Sequence, residues 1–259
     1  MPWFGIQQSI YNEIHTTDIP ITVNRVSGVA PLAIHFDAEP IAESLSVDTF
    51  HDVEYRWDFG DTVNPTATWD YGIRPGVNLK NEATGPVSAH VYEGAGNFTA
   101  TVTVWDGESS YAIQQTVEIE VTDPDTVFAD TTYVISGTGD FTDAPSGATQ
   151  VTSSVFDTAL DAALTAGARR ILFKAGETFT FSSQTTVDVD SPVLIGSFGE
   201  GADPILSLDE SYTGYFAVFA TSDDIRFMDF EIDGNELTDP TPIRGMYLGG
   251  DNCLALRLY

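Results

Sequence analysis

Two stretches near the C-terminal end of the sequence repeat each other. Ser222-Asp-Asp-Ile-Arg-Phe-Met-Asp-Phe-Glu-Ile232 lines up with Gly250-Asp-Asn-Cys-Leu-Ala-Leu-Arg-Leu-Tyr259 at a constant offset of 28 residues, which sets Ile225 over Cys253 and Phe230 over Leu258. A fixed period of about 20 to 50 residues marks chains that stack supersecondary units, because one such unit cannot bury its apolar face alone. Within the first copy the apolar parity switches: Ile225 and Phe227 share one phase, Phe230 and Ile232 the other. A flat strand with a side-chain period of two would then bury carboxylates, whereas a strand that bends at Met228-Asp229 keeps all four apolar residues inward. Bent strands stacked at a constant period describe parallel β-coils. The earlier Ser191-Pro-Val-Leu-Ile-Gly196 reads as a less regular first coil.

Ahead of these coils the grammar is helical. Ser154-Val-Phe-Asp157 has the spacing of a capping box, Phe156, Ala159, Leu160, Ala163 and Leu164 recur at helical spacing, and Gly167 is a natural C-terminal cap. Arg169-Arg-Ile-Leu-Phe-Lys-Ala-Gly-Glu-Thr-Phe-Thr-Phe181 then reads as two short strands around a Gly turn. Helix, turn and bent-strand repeat together resemble the start of a pectate-lyase-like right-handed parallel β-helix, the scaffold of many polysaccharide lyases and phage tail spikes. The resemblance covers about residues 130–259. A solenoid that stopped inside a strand at Tyr259 would leave an unpaired edge, which proteins cap. The expectation is therefore that these coils begin a longer protein or that another subunit covers them.

The first half is written differently. In Tyr55-Arg-Trp-Asp-Phe-Gly-Asp61, Tyr55, Trp57 and Phe59 fall on one face of a strand, Arg56 and Asp58 on the other, and Gly60-Asp61 is turn chemistry. Candidate strands also run through residues 19–38, 89–92, 94–106 and 113–121, punctuated by Gly28 and Pro31. That density of alternating strands is the pattern of a β-sandwich. In their order, Gly28-Val-Ala-Pro-Leu32, Trp57-Asp-Phe-Gly-Asp61, His90-Val-Tyr92 and Gly96-Asn-Phe-Thr-Ala-Thr-Val-Thr-Val104 resemble the PKD domain, an immunoglobulin-like module. The resemblance implies that Trp57 is core and that Gly60-Asp61 closes a turn. Where that family has a short turn, this chain carries a long loop from Thr62 to Thr84 containing Trp69, Asp70, Tyr71 and Arg74. Long loops in compact domains often carry function, so this loop is either a contact for carbohydrate or a partner, or a self-packed surface loop.

The predicted architecture is thus all-β: an N-terminal arm (1–18), an immunoglobulin-like sandwich (19–122), a Pro- and acid-bearing linker (123–129) and the N-terminal coils of a parallel β-helix with a helical cap (130–259). The arm is too apolar for a free tail. Trp3, Phe4, Ile6, Ile10, Tyr11 and Ile14 could dock it on a partner, at about 1.5–3 kcal/mol for each side chain buried, or could pack it on the chain's own sandwich.

Charge narrows the partners. With 39 Asp plus Glu against 10 Lys plus Arg, the formal net charge is −29. Phosphate backbones and anionic membrane surfaces are repelled, which argues against nucleic acid and membrane insertion as partners. The excess suits a saline setting, where counter-ions screen self-repulsion, or carboxylate binding of divalent cations. Cys253 is the single cysteine, so an intramolecular disulfide is excluded.

The candidate chemistry lies on the repeat. Asp229, Glu231 and Asp233 alternate on its outward face beside Asp223 and Asp224, in a pattern that could serve as glycosidase carboxylates or hold calcium, or that is simply solvated acid. Asp188-Val-Asp190 and Asp123-Pro-Asp125 fall short of a ligand set. Lyase chemistry would also need a base, and the outward basic residues Arg226, Arg244 and Arg257 form no motif. No catalytic residue is carried over, and no cofactor beyond calcium is suggested. Two functions follow from the resemblances. One is a structural or adhesive protein on a virion surface, of phage decoration or tail-spike type, with a cell-surface or matrix adhesin as an alternative of the same build. The other is a secreted polysaccharide lyase or hydrolase whose catalytic coils lie beyond residue 259. The start of the sequence lacks the basic and apolar runs of a signal peptide, which favours the virion reading, with other surface proteins, a homo-oligomer or a polysaccharide as partners.

Overall fold

The computed structural model describes residues 13–43, 45, 48–61, 81–108, 111–190, 192–209, 212, 216–234 and 244–259. The chain divides into two compact units, Met1–Pro124 and Asp125–Tyr259.

The first unit is an immunoglobulin-like sandwich. Its strands are β1 (Glu13–Thr16), β2 (Thr22–Val23), β3 (Ser27–Val29), β4 (Leu32–Asp37), β5 (Glu54–Asp58), β6 (Glu82–Thr84), β7 (Val87–Tyr92), β8 (Gly96–Trp105) and β9 (Tyr111–Thr122), with a short helix α1 (Glu39–Glu43) after β4. One sheet runs β1-β9-β8-β5-β6, with β3 also on β9; the other runs β2-β4-β7. The alternation in β5 is as the sequence dictates: Tyr55 and Trp57 are buried, while Glu54, Arg56 and Asp58 are exposed. Trp57 sits 5.5 Å from the Phe36 ring of the facing sheet and donates its indole N–H to Gly85 O at 2.9 Å, so the one polar atom of the largest core side chain is satisfied. Gly60 follows at φ +69°, and a Cβ there would lie 2.5 Å from Thr99 O. Both the backbone conformation and the close approach require glycine.

β1 falls within the residues assigned by sequence to an arm. It pairs in parallel with β9, Glu13 opposite Tyr111 through Thr16 opposite Gln114, and His15 stacks on Tyr111 at 4.4 Å. Residues 13–16 therefore form an edge strand of this chain's own sandwich, and Ile14 is exposed on it. Between Thr122 and Thr132 the chain winds through α2 (Pro124–Val127) and a 3-10 turn (Ala129–Thr131).

The second unit contains β10 (Thr132–Ser136), β11 (Thr149–Thr152), α3 (Phe156–Thr165), β12 (Arg170–Lys174), β13 (Thr178–Phe181), β14 (Thr185–Val187), β15 (Val193–Phe198), β16 (Ile205–Leu208), β17 (Phe216–Ala220), β18 (Ile225–Asp233), β19 (Arg244–Leu248) and β20 (Leu254–Leu258). Every strand pair among them is parallel. Successive passes of the chain add to the same three ladders: β10-β12-β15-β18-β20, β13-β16-β18 and β14-β17-β19. This curled parallel sheet is compatible with the coils expected from the repeat. The segment 191–196, taken from sequence as the first coil, is preceded in its ladder by β12 and β10.

The 28-residue offset is the pairing register itself. Arg226 faces Leu254, Phe227 faces Ala255 and Phe230 faces Leu258. The same offset joins Val218 to Met246 and Ala220 to Leu248. The parity switch in β18 is also real: Ile225–Phe227 pair with β15, Glu231–Asp233 pair with β16, and between them Asp229 adopts φ +62°. That left-handed residue turns the strand from one ladder to the next, so Ile225, Phe227 and Phe230 are all buried.

Helix α3 closes one end of the core. Phe156, Ala159, Leu160, Ala163 and Leu164 join the cluster that contains Phe173, Phe227 and Phe230, with the Phe156 and Phe173 rings 4.8 Å apart. Its C-terminus is a Schellman turn: Gly167 has φ +91°, Ala168 N–H donates to Ala163 O and Gly167 N–H to Leu164 O. The N-terminus differs from the capping box read in the sequence. Val155 is the N-cap and no side chain caps it. Ser154 O instead accepts from Thr180 N–H at 2.9 Å, and Asp157 turns into the protein. Its carboxylate accepts from the N–H groups of Thr158, Ser182 and Ser183 and from the Ser183 hydroxyl. Tying the helix to the next coil outcompetes capping because the buried Asp157 carboxylate finds several donors there.

Candidate functional site

The outward acids of β18 are divided by the bend that the repeat creates. Asp229 stands at the bend itself, and one coil later Arg257 occupies the equivalent position with φ +50°. The two side chains meet as a bidentate pair, Arg257 Nε on Asp229 Oδ1 and Nη2 on Oδ2 at 3.0 Å, with both largely withdrawn from solvent. Glu231 and Asp233 remain exposed. Beside them, on the turn between β15 and β16, lies Asp203. Its carboxyl is pushed above the ordinary range by partial burial first, then by the negative charge of Asp229, against an opposing pull from Arg257.

Asp223 lies on the other turn of the repeat. It accepts the Asp251 N–H at 2.7 Å, while Asp224 N–H donates to Asp251 O at 2.8 Å, and Asp224 and Asn252 share positive φ values of 53° and 59°. Gly250 allows this stacking: a Cβ there would meet Ser222 O at 2.0 Å. The structure therefore separates the four acids singled out in the sequence. Asp223 belongs to a turn ladder, Asp229 to an ion pair, and Glu231 and Asp233 to an open face.

A calcium shell requires about 6–8 oxygens. Both Asp229 oxygens are engaged by a guanidinium, and among the described residues no group of three His, Cys, Asp or Glu side chains is arranged to hold a metal ion. The basic residues are also placed differently from the sequence reading. Arg226 is not a solvent-facing base but is fully buried, with Nη1 donating to Asp224 O at 3.2 Å and Nη2 3.2 Å from Asp224 Oδ1. Asp203 and the pairing partner of Asp229 were missed in sequence; the 28-residue offset from 229 to 257 was the available signal for the latter.

In the sandwich the structure describes the root of the long loop. Asp58 Oδ1 accepts from Gly60 N–H at 2.9 Å and from Asn81 Nδ2 at 2.7 Å, and Asp61 N–H donates to Asn81 Oδ1 at 2.6 Å. Asp61 is buried, with Oδ2 3.0 Å from His90 Nε2, and the His90 ring stacks on Phe59 at 4.6 Å. The two ends of the loop are thus bound to each other and to β7 of the other sheet. Trp69, Asp70 and Tyr71 within the loop lie outside the described residues, as do Trp3, Phe4, Ile6, Ile10 and Tyr11.

This combination defines a mostly β protein with an immunoglobulin-like domain followed by a parallel-stranded unit. Residues 20–121 match the PKD domain family, a match that ends one residue before the end of β9. PKD domains are typically extracellular or surface domains. No curated protein matches the chain. No helix among the described residues is long and apolar enough to cross a membrane.

Proposed function

We propose that this is a structural or adhesive protein displayed on a virion surface, of phage decoration or tail-spike type, in which the PKD-like sandwich is a spacer and the second unit forms the first coils of a right-handed, pectate-lyase-like parallel β-helix. The observation that carries the reading is the repeated parallel register, 28 residues per pass in two ladders, directly following a sandwich of a typically extracellular family. Stacked coils give a rigid, extendable surface without helices or disulfides, a form suited to presentation. Residues 1–12, with Trp3, Phe4, Ile6, Ile10 and Tyr11, are the proposed anchor, and the Trp69-Asp70-Tyr71 loop is the proposed contact for a polysaccharide or a neighbouring surface protein. The function needs no cofactor.

Immunogold labelling of intact particles and cells from a culture that makes the protein tests this. Gold on the particle surface is expected, lost when residues 1–12 are deleted; protein confined to the cell interior would refute it, and label on cells alone would turn the reading to a cell-surface adhesin. A second reading, part of a secreted polysaccharide lyase or hydrolase, is favoured by one observation: Asp203, whose carboxyl is pushed up by partial burial and by Asp229, lies beside the Arg257–Asp229 pair, which groups acids and a cation at one bend of the coil.

A further inference from the structure

The negative charge of the chain is spread evenly rather than gathered in a tail. Residues 1–124 carry 18 acids against 4 basic residues and residues 125–259 carry 21 against 6, so the two units hold −14 and −15 of the net −29. The structure then sorts the charges by sign. Among the described residues only Asp61 and Asp157 are buried acids, and each meets hydrogen-bonding partners. The cations of the second unit go the other way. Arg226 and Lys174 are buried, Arg170 and Arg257 are largely withdrawn from solvent, and each stands against one carboxylate, that of Asp224, Asp140, Asp125 and Asp229 respectively. What this unit shows to solvent is therefore carboxylate with little positive charge among it.

We propose that strong monovalent salt is a condition of the folded state, so that the protein works in a saline medium of about molar strength and loosens when that medium is diluted. A unit of about 130 residues has a radius of gyration of about 14 Å folded and about 37 Å unfolded. Folding therefore crowds the like charges of each unit together, and their repulsion opposes the compact state. Salt sets how far that repulsion reaches. The screening length is about 30 Å at 0.01 M, about 10 Å at 0.1 M and about 3 Å at 1 M. At the first value every acid of a unit repels every other; at the last only acids on neighbouring coils still do. That short-range part is relieved by the coils themselves, which set Asn252 under Asp224 and Arg257 under Asp229. The long-range part is left to salt, because the cations that could offset it at the surface are turned inward or held by single acids.

Thermal unfolding of the full chain at neutral pH, in NaCl from about 0.02 to 2 M, reads the outcome, with tryptophan fluorescence following the sandwich and far-ultraviolet circular dichroism the whole chain. Both transitions should rise by at least about 10 °C between about 0.1 and 1 M and level off above that, in KCl as in NaCl. Near the isoelectric point of about 4.1, where the net charge vanishes, the rise should shrink. Asp130→Asn, Asp188→Asn, Asp190→Asn and Glu200→Gln together, all at exposed positions of the second unit, should raise its transition in dilute salt and leave that of the sandwich in place. A shift under about 3 °C across the NaCl series overturns the proposal. So does a rise as steep near the isoelectric point as at neutral pH, which marks salting-out of apolar surface. Recovery of the high-salt transition by about 5 mM CaCl2 in dilute buffer, the mark of bound divalent ions, overturns it too, as does a combined variant no more stable than the unmodified chain in dilute salt.

Discussion

Removing Asp61 tests whether the sandwich is held together at the loop root. Asp61 and His90 have side-chain exposures of 6% and 2% and lie 3.0 Å apart, one at the turn after β5 and the other on β7 of the facing sheet. Asp61→Ala leaves the His90 Nε2 without its carboxylate in a site enclosed by the Phe59 and Tyr92 rings at 4.6 and 4.5 Å. Leaving one member of a buried hydrogen-bonded pair unsatisfied costs about 1–3 kcal/mol, a substantial share of the roughly 5–15 kcal/mol that holds a domain folded. His90→Ala should cost at least as much, because it also removes the ring contacts. All four tryptophans, Trp3, Trp57, Trp69 and Trp105, precede residue 124, so tryptophan fluorescence during urea unfolding reports the sandwich unit alone. The double substitution should cost less than the sum of the singles by about 0.5–3 kcal/mol. A loss below about 1 kcal/mol for Asp61→Ala, or strict additivity, would show that the pair does not hold the sheets and would refute the argument.

Other outcomes are set by the second unit. Phe156→Ala should destabilise it by about 3–5 kcal/mol while leaving the tryptophan transition in place; an unchanged far-ultraviolet melt would show that α3 is not a cap of the core. Gly250→Ala should disrupt the stacked turns, since its Cβ would approach Ser222 O to 2.0 Å, and is checked by faster amide exchange at Asp224 and Asp251. For Asp157, burial pushes the carboxyl up, but hydrogen bonds from Ser182, Ser183 and Thr158 outweigh it and hold it below its ordinary value. Stability from this group is therefore full above the unfolded value of about 4 and is lost as pH falls through the lower folded value. Asp157→Asn should flatten the acid limb of a stability-against-pH curve, and an unaltered limb would contradict the assignment. Finally, the chain alone should not cleave neutral or acidic polysaccharides, with or without calcium; unsaturated or reducing ends that disappear in Glu231→Ala would overturn this.

The parts of the fold that obey a single period were legible in sequence. Tyr55, Trp57 and Phe59 announced β5 because a half-buried strand has no other way to segregate them, and the parity switch between Phe227 and Phe230 announced a bend because a flat strand would have buried Asp229 or Glu231. The earlier coils were hidden by irregular spacing. Arg170 lies opposite Leu194 and Val193 opposite Ile225, intervals of 24 and 32 residues, before the register reaches 28. The capping box failed for a different reason: Asp157 had a better use against Ser182 and Ser183, which are distant in the local pattern and adjacent only after the chain has gone round. Arg226 was read as solvent-facing because strand parity tells which face of a sheet a residue occupies and not whether something covers that face.

Stacking at constant period creates an electrostatic problem for a chain of charge −29, because equivalent acids on neighbouring coils stand about 4.8 Å apart. Two carboxylates at that spacing repel by roughly 3 kcal/mol at an effective dielectric of about 20. The second copy of the repeat avoids this at all but one of the equivalent positions. Under Asp224 comes Asn252, with the same left-handed backbone and no charge. Under Asp229 comes Arg257, which turns the repulsion into a bidentate pair. Only under Asp223 does an acid recur, Asp251, and there the Asp223 carboxylate is engaged by the Asp251 backbone N–H. The repeat is thus conserved in backbone conformation and apolar phase but deliberately broken in charge. One of the ten basic residues, Arg257, stands where a strict repeat would have set acid on acid.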